Sequence, residues 1–259
     1  MPLKLKIHRP WPAIFLLLAL ALPADGQVST NKTFIARAEK EFLLAQQSFR
    51  SNTNDLVAAQ QLARASFELG ELLANDIRLA EIARCGIETC RQWLAIASNS
   101  APGHYYLAIN LGELAQAQAP SLTAYRLVHE VEREFLAAAA LDVHIDYAGP
   151  ARCLGLLYRD APGWPLSIGS RRKAREWLVR AAALAPEFPE NQLNLAETYL
   201  KWRQKEEAGN SLANLAAVWP AAQTNLTGIR WEKDWFDWKQ RRVSVQTEFD
   251  RIYKAQSSR

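Results

Sequence analysis

Ala174, Leu178, Ala181 and Pro186 return 34 residues later as Ala208, Leu212, Leu215 and Pro220, with the same steps of four, three and five. Steps of three and four put side chains on one face of a helix, so each set reads as one helical face followed by a stop. Small residues at the first place, and at the third in the earlier set, let a second helix approach closely, and the larger residue between them fills the groove. Pro at the end removes a backbone donor and stops the helix. Between the two sets, Leu195, Ala196 and Tyr199 supply the other helix of the pair. Self-similarity at a fixed period of this size marks a tandem architecture whose units bury their faces on their neighbours.

The same steps recur upstream with weaker residues. Gly86, Cys90, Trp93 and Ser98 are followed by Leu107, Ala108 and Leu111; Val131, Phe135, Ala138 and Val143 are followed by Leu154, Gly155 and Tyr158. The earliest helix of the first type shows Leu69, Gly70 and Leu73. A 34-residue helix pair marked by a Leu-small dipeptide and an aromatic residue is the tetratricopeptide pattern. Four repeats can be drawn, roughly 55–98, 101–143, 147–186 and 189–220. No run alternates every second residue, so the expected fold is all-α: a tetratricopeptide-type helical-hairpin solenoid of about four repeats with N- and C-terminal capping helices. The boundaries expected are a signal peptide at 1–26, a capping helix at 27–54, the solenoid at 55–225, and a capping helix and tail at 226–259. Phe34, Ala38, Phe42, Ala45 and Phe49 form the apolar stripe of the first cap, with Asn54 or Asp55 available to cap the helix after it. Trp231, Trp235 and Trp238 form a stripe that reads as the terminal helix packing on the last repeat, with a docking surface as the alternative.

The first segment reads as an address. A positive start carrying Lys4, Lys6 and Arg9 precedes an apolar run, Trp11 to Leu22, and then Ala24 and Gly26, small residues suited to cleavage before Gln27. The run covers 12 residues, where a spanning helix needs roughly 20, which favours a cleaved signal over a retained anchor. The expected location is therefore exported, soluble and periplasmic, with no stable membrane anchor after cleavage. The formal charge of +4 falls to +2 once this segment is removed, which leaves no nucleic-acid footprint. Cys85 and Cys90 stand about 8 Å apart on different faces of one helix, too far for a bridge, and with Cys153 they read as three buried free thiols.

Signatures of catalysis are missing, so no catalytic residue, metal ligand or cofactor is expected. His104, His129 and His144 have no metal-ligand spacing. Gly163 to Arg171 only superficially resembles a phosphate loop: five residues separate its glycines, and Arg stands where Lys is needed. Glu130, Glu132 and Glu134 read as a solvated helix face. The chain is expected to recognise rather than react.

In such solenoids the first helix of each pair lines the concave surface, and positions two either side of the marker Leu should face inward. They are Phe67 and Glu71, Tyr105 and Ile109, Arg152 and Leu156, and Leu193 and Glu197, with Asp160 nearby. This mixed lining suits a protein partner, a helix or an amphipathic small ligand. The loop from Asp160 to Gly169 interrupts the third repeat, stiffened by Pro162 and Pro165 around Trp164. Ser170 can cap the following helix, while Arg171, Arg172 and Lys173 put three positive charges at its N-terminus. Arg beside free N–H groups is an arrangement for a carboxylate ligand or acidic partner, and ion pairing with Asp160 or Glu176 is the alternative.

The stretch 147–200 carries Arg152-x-Leu154-Gly155-x-Leu157-Tyr158, the Ala-Pro-Gly-Trp-Pro loop, Lys173-Ala174, Ala185-Pro186-Glu-Phe-Pro189 and Asn191-x3-Leu195-Ala196-Glu197. With His104-Tyr-Tyr-Leu-Ala-Ile-Asn-Leu-Gly112, it resembles the T-component (TatT-like) proteins of TRAP transporters, over about half of the chain beyond the signal segment. That resemblance implies an exported tetratricopeptide-type protein that wraps helices around a ligand-sized pore and associates with a periplasmic substrate-binding subunit. It implies Tyr105, Arg152, Tyr158 and Trp164 as pore-lining residues. The lipidated Cys frequent in that family has no counterpart here, since the first Cys is Cys85.

Overall fold

The computed structural model describes residues 24–253. Most of the segment read as a signal peptide, and the last residues of the expected C-terminal tail, lie outside the described residues. Within them the chain forms α-helices and no strand, so the all-α, helical-hairpin fold class is the one found. The helices fall into two compact units.

The first unit contains α1 (Ala24–Ser51), α2 (Leu56–Gly70), α3 (Asp76–Ile96), α4 (Ala101–Ala117) and α5 (Leu122–Leu141), together with the loop Asp160–Ser170. Each hairpin helix here starts where its sequence provides an acceptor. Asp55 takes hydrogen bonds from the Val57 and Ala58 amides at 2.8 and 3.2 Å, Asn75 from Arg78, Ser100 from Gly103 and Ser121 from Ala124. Each such cap contributes about 1 kcal/mol. The predicted stripe on α1 buries Ala38, Phe42 and Phe49 against Ala58, Leu62, Ala65 and Leu69 of α2, as a capping helix requires. Asn110 of α4 donates to the Ala63 and Tyr106 carbonyls at 3.0 and 2.8 Å, and a side chain at Gly86 would collide with its amide group.

Two expectations fail. Glu134, expected on a solvated face, is buried, its carboxylate 2.6 Å from His104 Nδ1 and 3.1 Å from Arg133. An acid on that face is tolerated because both partners reach it. Of the three thiols, only Cys90 is buried; Cys85 and Cys153 are half-buried, and all three are unbridged.

The second unit takes Asp146–Arg159 of α6 (Ile145–Asp160), then α7 (Arg171–Leu184), α8 (Pro189–Lys201), α9 (Lys205–Asn225) and α10 (Glu232–Tyr253). Gly155 sits where α6 meets α7: a Cβ there would lie 2.5 Å from Leu178 Cγ. Ala174, Ala181, Ala196 and Ala208, the small residues of the period, are all buried to 1% exposure or less. Pro186 follows the end of α7 as predicted, but Pro220 does not stop its helix; α9 continues to Asn225. Trp219, Ala222 and Leu226 are buried around and beyond that proline, and their packing outweighs the lost backbone bond.

Behind a 3-10 turn at Ile229–Trp231, α10 packs mainly on α8 and less on α9. Its tryptophan stripe is a cap. Trp238 is 2% exposed, with its ring 5.2 Å from Phe188 and 5.1 Å from Trp235, and Trp235 in turn meets Trp219 at 5.1 Å. No helix among the described residues is long and apolar enough to cross a membrane.

Candidate recognition surfaces

In the first unit the predicted lining residues separate. Phe67 and Glu71 are half-buried on α2 and just beyond it. Tyr105 is core, 2% exposed, with its ring 5.3 Å from Tyr106 and 6.0 Å from Phe135, and Ile109 is buried with it. The expectation that Tyr105 lines an open surface is therefore corrected: α5 covers that side of α4. A shallow groove of about 470 Å³ runs between α1 and α2, lined by Glu41, Leu44, Ala45, Arg64 and Glu68 among others.

The loop is the most exposed apolar feature of this unit. Trp164 is 89% and Leu166 70% exposed, and Asp160 is half-buried at its start. Its backbone is nonetheless pinned: the Gly169 amide donates to the Pro162 carbonyl at 2.9 Å, and the Leu166 and Ser167 amides both donate to the Gly163 carbonyl, at 3.1 and 3.3 Å. Gly169 has to be glycine, since a Cβ there would strike the Ala161 carbonyl. The result is a tied loop that holds an indole in water.

In the second unit Arg152 and Tyr158 are also core, which corrects their reading as open lining. Tyr158 is 2% exposed, its ring covered by the Lys173 ammonium at 4.6 Å. Arg152 holds a local turn. Asp146, Tyr147 and Ala148 have φ of 50°, 54° and 63°, a left-handed conformation disfavoured for residues with a Cβ. Arg152 Nη1 donates to the Asp146 and Tyr147 carbonyls, both at 3.1 Å, and Nη2 to Asp146 Oδ2 at 2.8 Å. Asn191 Nδ2 donates to the Tyr147 carbonyl at 3.2 Å, and the Tyr147 ring stacks on Phe188 at 4.5 Å.

Neither of the residues predicted to face inward from α8 lines an open surface, and Glu197 meets α10. Leu193 is fully buried. Arg241 of α10 forks onto Glu197 through Nε–Oε1 at 2.8 Å and Nη2–Oε2 at 3.0 Å, and also reaches Asn194 Oδ1 at 2.6 Å and Glu190 Oε1 at 3.4 Å. Glu190 lies 3.8 Å from Arg152 Nε as well. Burial opposes its ionisation, yet Arg152, Arg241 and Lys233 hold its carboxyl below the usual carboxylate range. For Arg241 the same balance goes the other way: burial favours losing the proton, and Glu197, Glu190 and Asp237 keep it charged. The sequence reading missed Glu190, Asn194 and Arg241. The signal open to it was position, since Glu190 and Asn194 stand one helical turn apart with Glu197 next along α8.

Arg171 and Arg172 are exposed at the start of α7. Arg172 pairs with Glu176 at 3.3 Å, and the Arg171 guanidinium lies 5.8 Å from the Trp202 ring. Ion pairing within α7 is thus how Arg172 is placed. Among the described residues no group of three or more His, Cys, Asp or Glu could hold a metal ion.

No family model matches the chain, and no curated protein matches it. Among solved structures it is similar to TTC0263, a thermophilic tetratricopeptide protein of Thermus thermophilus, at 20% identity over 85% of this chain and 96% of that one, with a TM-score of 0.61. Yeast Tom70 aligns over 97% of this chain and 70% of its own at 12% identity, with a TM-score of 0.30, which is too low to support an argument. Together with the hairpins and the 34-residue period, the first likeness gives this chain the tetratricopeptide fold.

Proposed function

We propose that the chain is an exported, non-catalytic recognition protein that binds a partner protein through the loop Asp160–Gly169. The observation that carries this reading is Trp164: a large apolar side chain, 89% exposed, on a backbone tied by hydrogen bonds at both ends of the loop. An exposed indole on a pre-ordered loop gains most of its burial energy when a partner covers it, about 2–3 kcal/mol, with little ordering cost. The same loop contributes the Ala-Pro-Gly-Trp-Pro segment of the T-component resemblance, so the partner of first choice is a periplasmic substrate-binding subunit of a TRAP-type uptake system. The runner-up is an envelope scaffold with no small ligand.

The test is capture of partners from a periplasmic extract by the wild-type protein and by Trp164→Ala with Leu166→Ala. Both side chains are solvent-exposed, so the double variant should unfold within about 0.5 kcal/mol of wild type. A specific partner retained by wild type and lost by the variant supports the reading. Equal capture by both proteins overturns it. Export is tested separately, by fractionation and N-terminal sequencing of the secreted chain, which should begin at Gln27.

A further inference from the structure

We propose that the exposed arginines of α7, Arg171 and Arg175, together with the Trp202 ring and Arg203, form a docking surface for an acidic segment of a partner protein. All four residues belong to the second unit, and the reading does not rest on the function proposed for the Trp164 loop.

Arg171 and Arg175 stand one turn apart on α7, both exposed. Like charges at that spacing repel, and Arg171 in the first turn also opposes the helix dipole, so neither charge helps α7 itself. Neighbouring Arg172 shows the usual remedy, an ion pair with Glu176 one turn further on. Among the described residues no carboxylate lies within ion-pairing distance of Arg171 or Arg175. Both guanidiniums turn to one indole: Trp202, half-buried just beyond α8, has Arg171 at 5.8 Å and Arg175 at 5.9 Å from its ring centre. An aromatic face attracts cations without neutralising them, so the pair keeps its charge and its remaining N–H groups for an anion. Arg175 is also fixed in direction. Its Nη2 donates to Gln204 Oε1 at 2.7 Å, and Gln204 Nε2 donates to Glu207 Oε1 at 2.9 Å.

The turn after α8 adds a third arginine. The Arg203 amide donates to the Leu200 carbonyl at 3.0 Å and the Gln204 amide to the Tyr199 carbonyl at 2.9 Å, a closure that ends many helices on a left-handed residue. That residue is Arg203, at φ 61°, where glycine is the favoured occupant. An exposed arginine in a place that suits glycine better adds charge beside Trp202 and nothing to the fold. Glu248, which feels the Arg203 charge, is itself paired with Arg251.

The class of partner follows from the surrounding charges. Glu206 and Glu207 stand in the first turn of α9. A nucleic-acid backbone or an anionic membrane engages a broad positive face, which those acids interrupt. A short acidic segment meets the arginines alone, with its carboxylates on Arg171 and Arg175 and an apolar side chain laid on the indole.

The experiment uses the full chain and, as probe, a fluorescein-labelled peptide of repeated Glu-Leu-Glu read by anisotropy, with its Gln-Leu-Gln counterpart as neutral control. Wild type should bind the acidic peptide and not the neutral one. Arg171→Gln with Arg175→Gln should lower affinity by about tenfold or more. Arg172→Gln, which removes a neighbouring charge already paired with Glu176, should change it by less than about twofold. An acidic peptide that wild type does not bind, or one that Arg172→Gln weakens as much as the double variant does, overturns the proposal. Binding to phosphatidylserine vesicles or to a single-stranded oligonucleotide that needs Arg171 and Arg175, without binding of the peptide, assigns the surface to another class of partner and also overturns it. Melting without any probe separates recognition from support: the double variant should stay within about 4 °C of wild type, and a larger fall would make the arginines structural and overturn the proposal.

Discussion

Removing the Arg152 side chain should be the most damaging single change in the second unit. Its guanidinium is 7% exposed and holds the Asp146 and Tyr147 carbonyls, the Asp146 carboxylate and, at 3.4 Å, Asn191 Oδ1. Three consecutive left-handed residues each cost roughly 1–2 kcal/mol against the right-handed form, so the turn stands only while these contacts hold it. Arg152→Ala removes a buried guanidinium from the Asp146 carboxylate, itself 32% exposed, and from the Asp146 and Tyr147 carbonyls, a loss of about 2–4 kcal/mol. Arg152→Lys keeps the charge but offers one ammonium where a planar fork met several acceptors, and should lose about half as much. Urea unfolding followed by tryptophan fluorescence reports mainly on this unit, because Trp177, Trp202, Trp219, Trp231, Trp235 and Trp238 lie in it, against Trp93 and Trp164 in the first. The expected fall in midpoint for Arg152→Ala is about 1–2 M. A midpoint unchanged from wild type would refute the reasoning and leave Arg152 as a residue kept for a ligand.

Gly155→Ala should lower stability by about 1–3 kcal/mol, since the new methyl would lie 2.5 Å from Leu178 Cγ and 3.0 Å from its backbone nitrogen; an unchanged melting temperature would show that α6 and α7 have room to part. Acid should release α10. Because the folded protein holds the Glu190 carboxyl below its ordinary value, its stabilisation is complete above about pH 4.3 and is lost as pH falls through the lowered folded value. Near-UV dichroism of the tryptophan cluster should therefore be flat from about pH 5 to 8 and decay only below about pH 4; decay beginning above about pH 5 would contradict the arrangement of Arg152, Arg241 and Lys233 around that carboxylate. Burial pushes the Cys90 thiol far above its usual value, so a thiol reagent at about pH 8 should modify it only on unfolding, and modification of the native protein at Cys90 would show that the α3 packing is open.

The hairpins were legible because the constraint that makes them is written in residue size. Helices cannot approach to Leu178 unless the facing position is Gly155, and Ala174, Ala181, Ala196 and Ala208 mark contacts of the same kind. Caps were legible because Asp55 and its equivalents act within three residues of themselves. Exposure was not legible. Counting two positions either side of a marker Leu gives the direction of a side chain, but what lies in that direction depends on elements far along the sequence. Tyr105 points at Phe135, 30 residues on, and Glu197 at Arg241, 44 residues on. The left-handed turn at Asp146–Ala148 was also hidden, because none of its residues is the glycine that usually announces one; its cause is the set of donors Arg152 and Asn191 supply from elsewhere.

The two capping helices meet the same physical demand with different chemistry. α1 covers its neighbour with Ala38, Phe42 and Phe49, apolar groups whose burial is worth about 1.5–3 kcal/mol for each phenylalanine and asks nothing particular of the surface beneath. In the second unit α10 joins its tryptophans to Arg241, half-buried on two carboxylates and an amide. Replacing that ionic group by well-packed apolar residues would cost little stability, so capping alone does not account for it. What an arginine fork adds is selection of register and partner: only a guanidinium at that point on the helix satisfies Glu190 and Glu197 together.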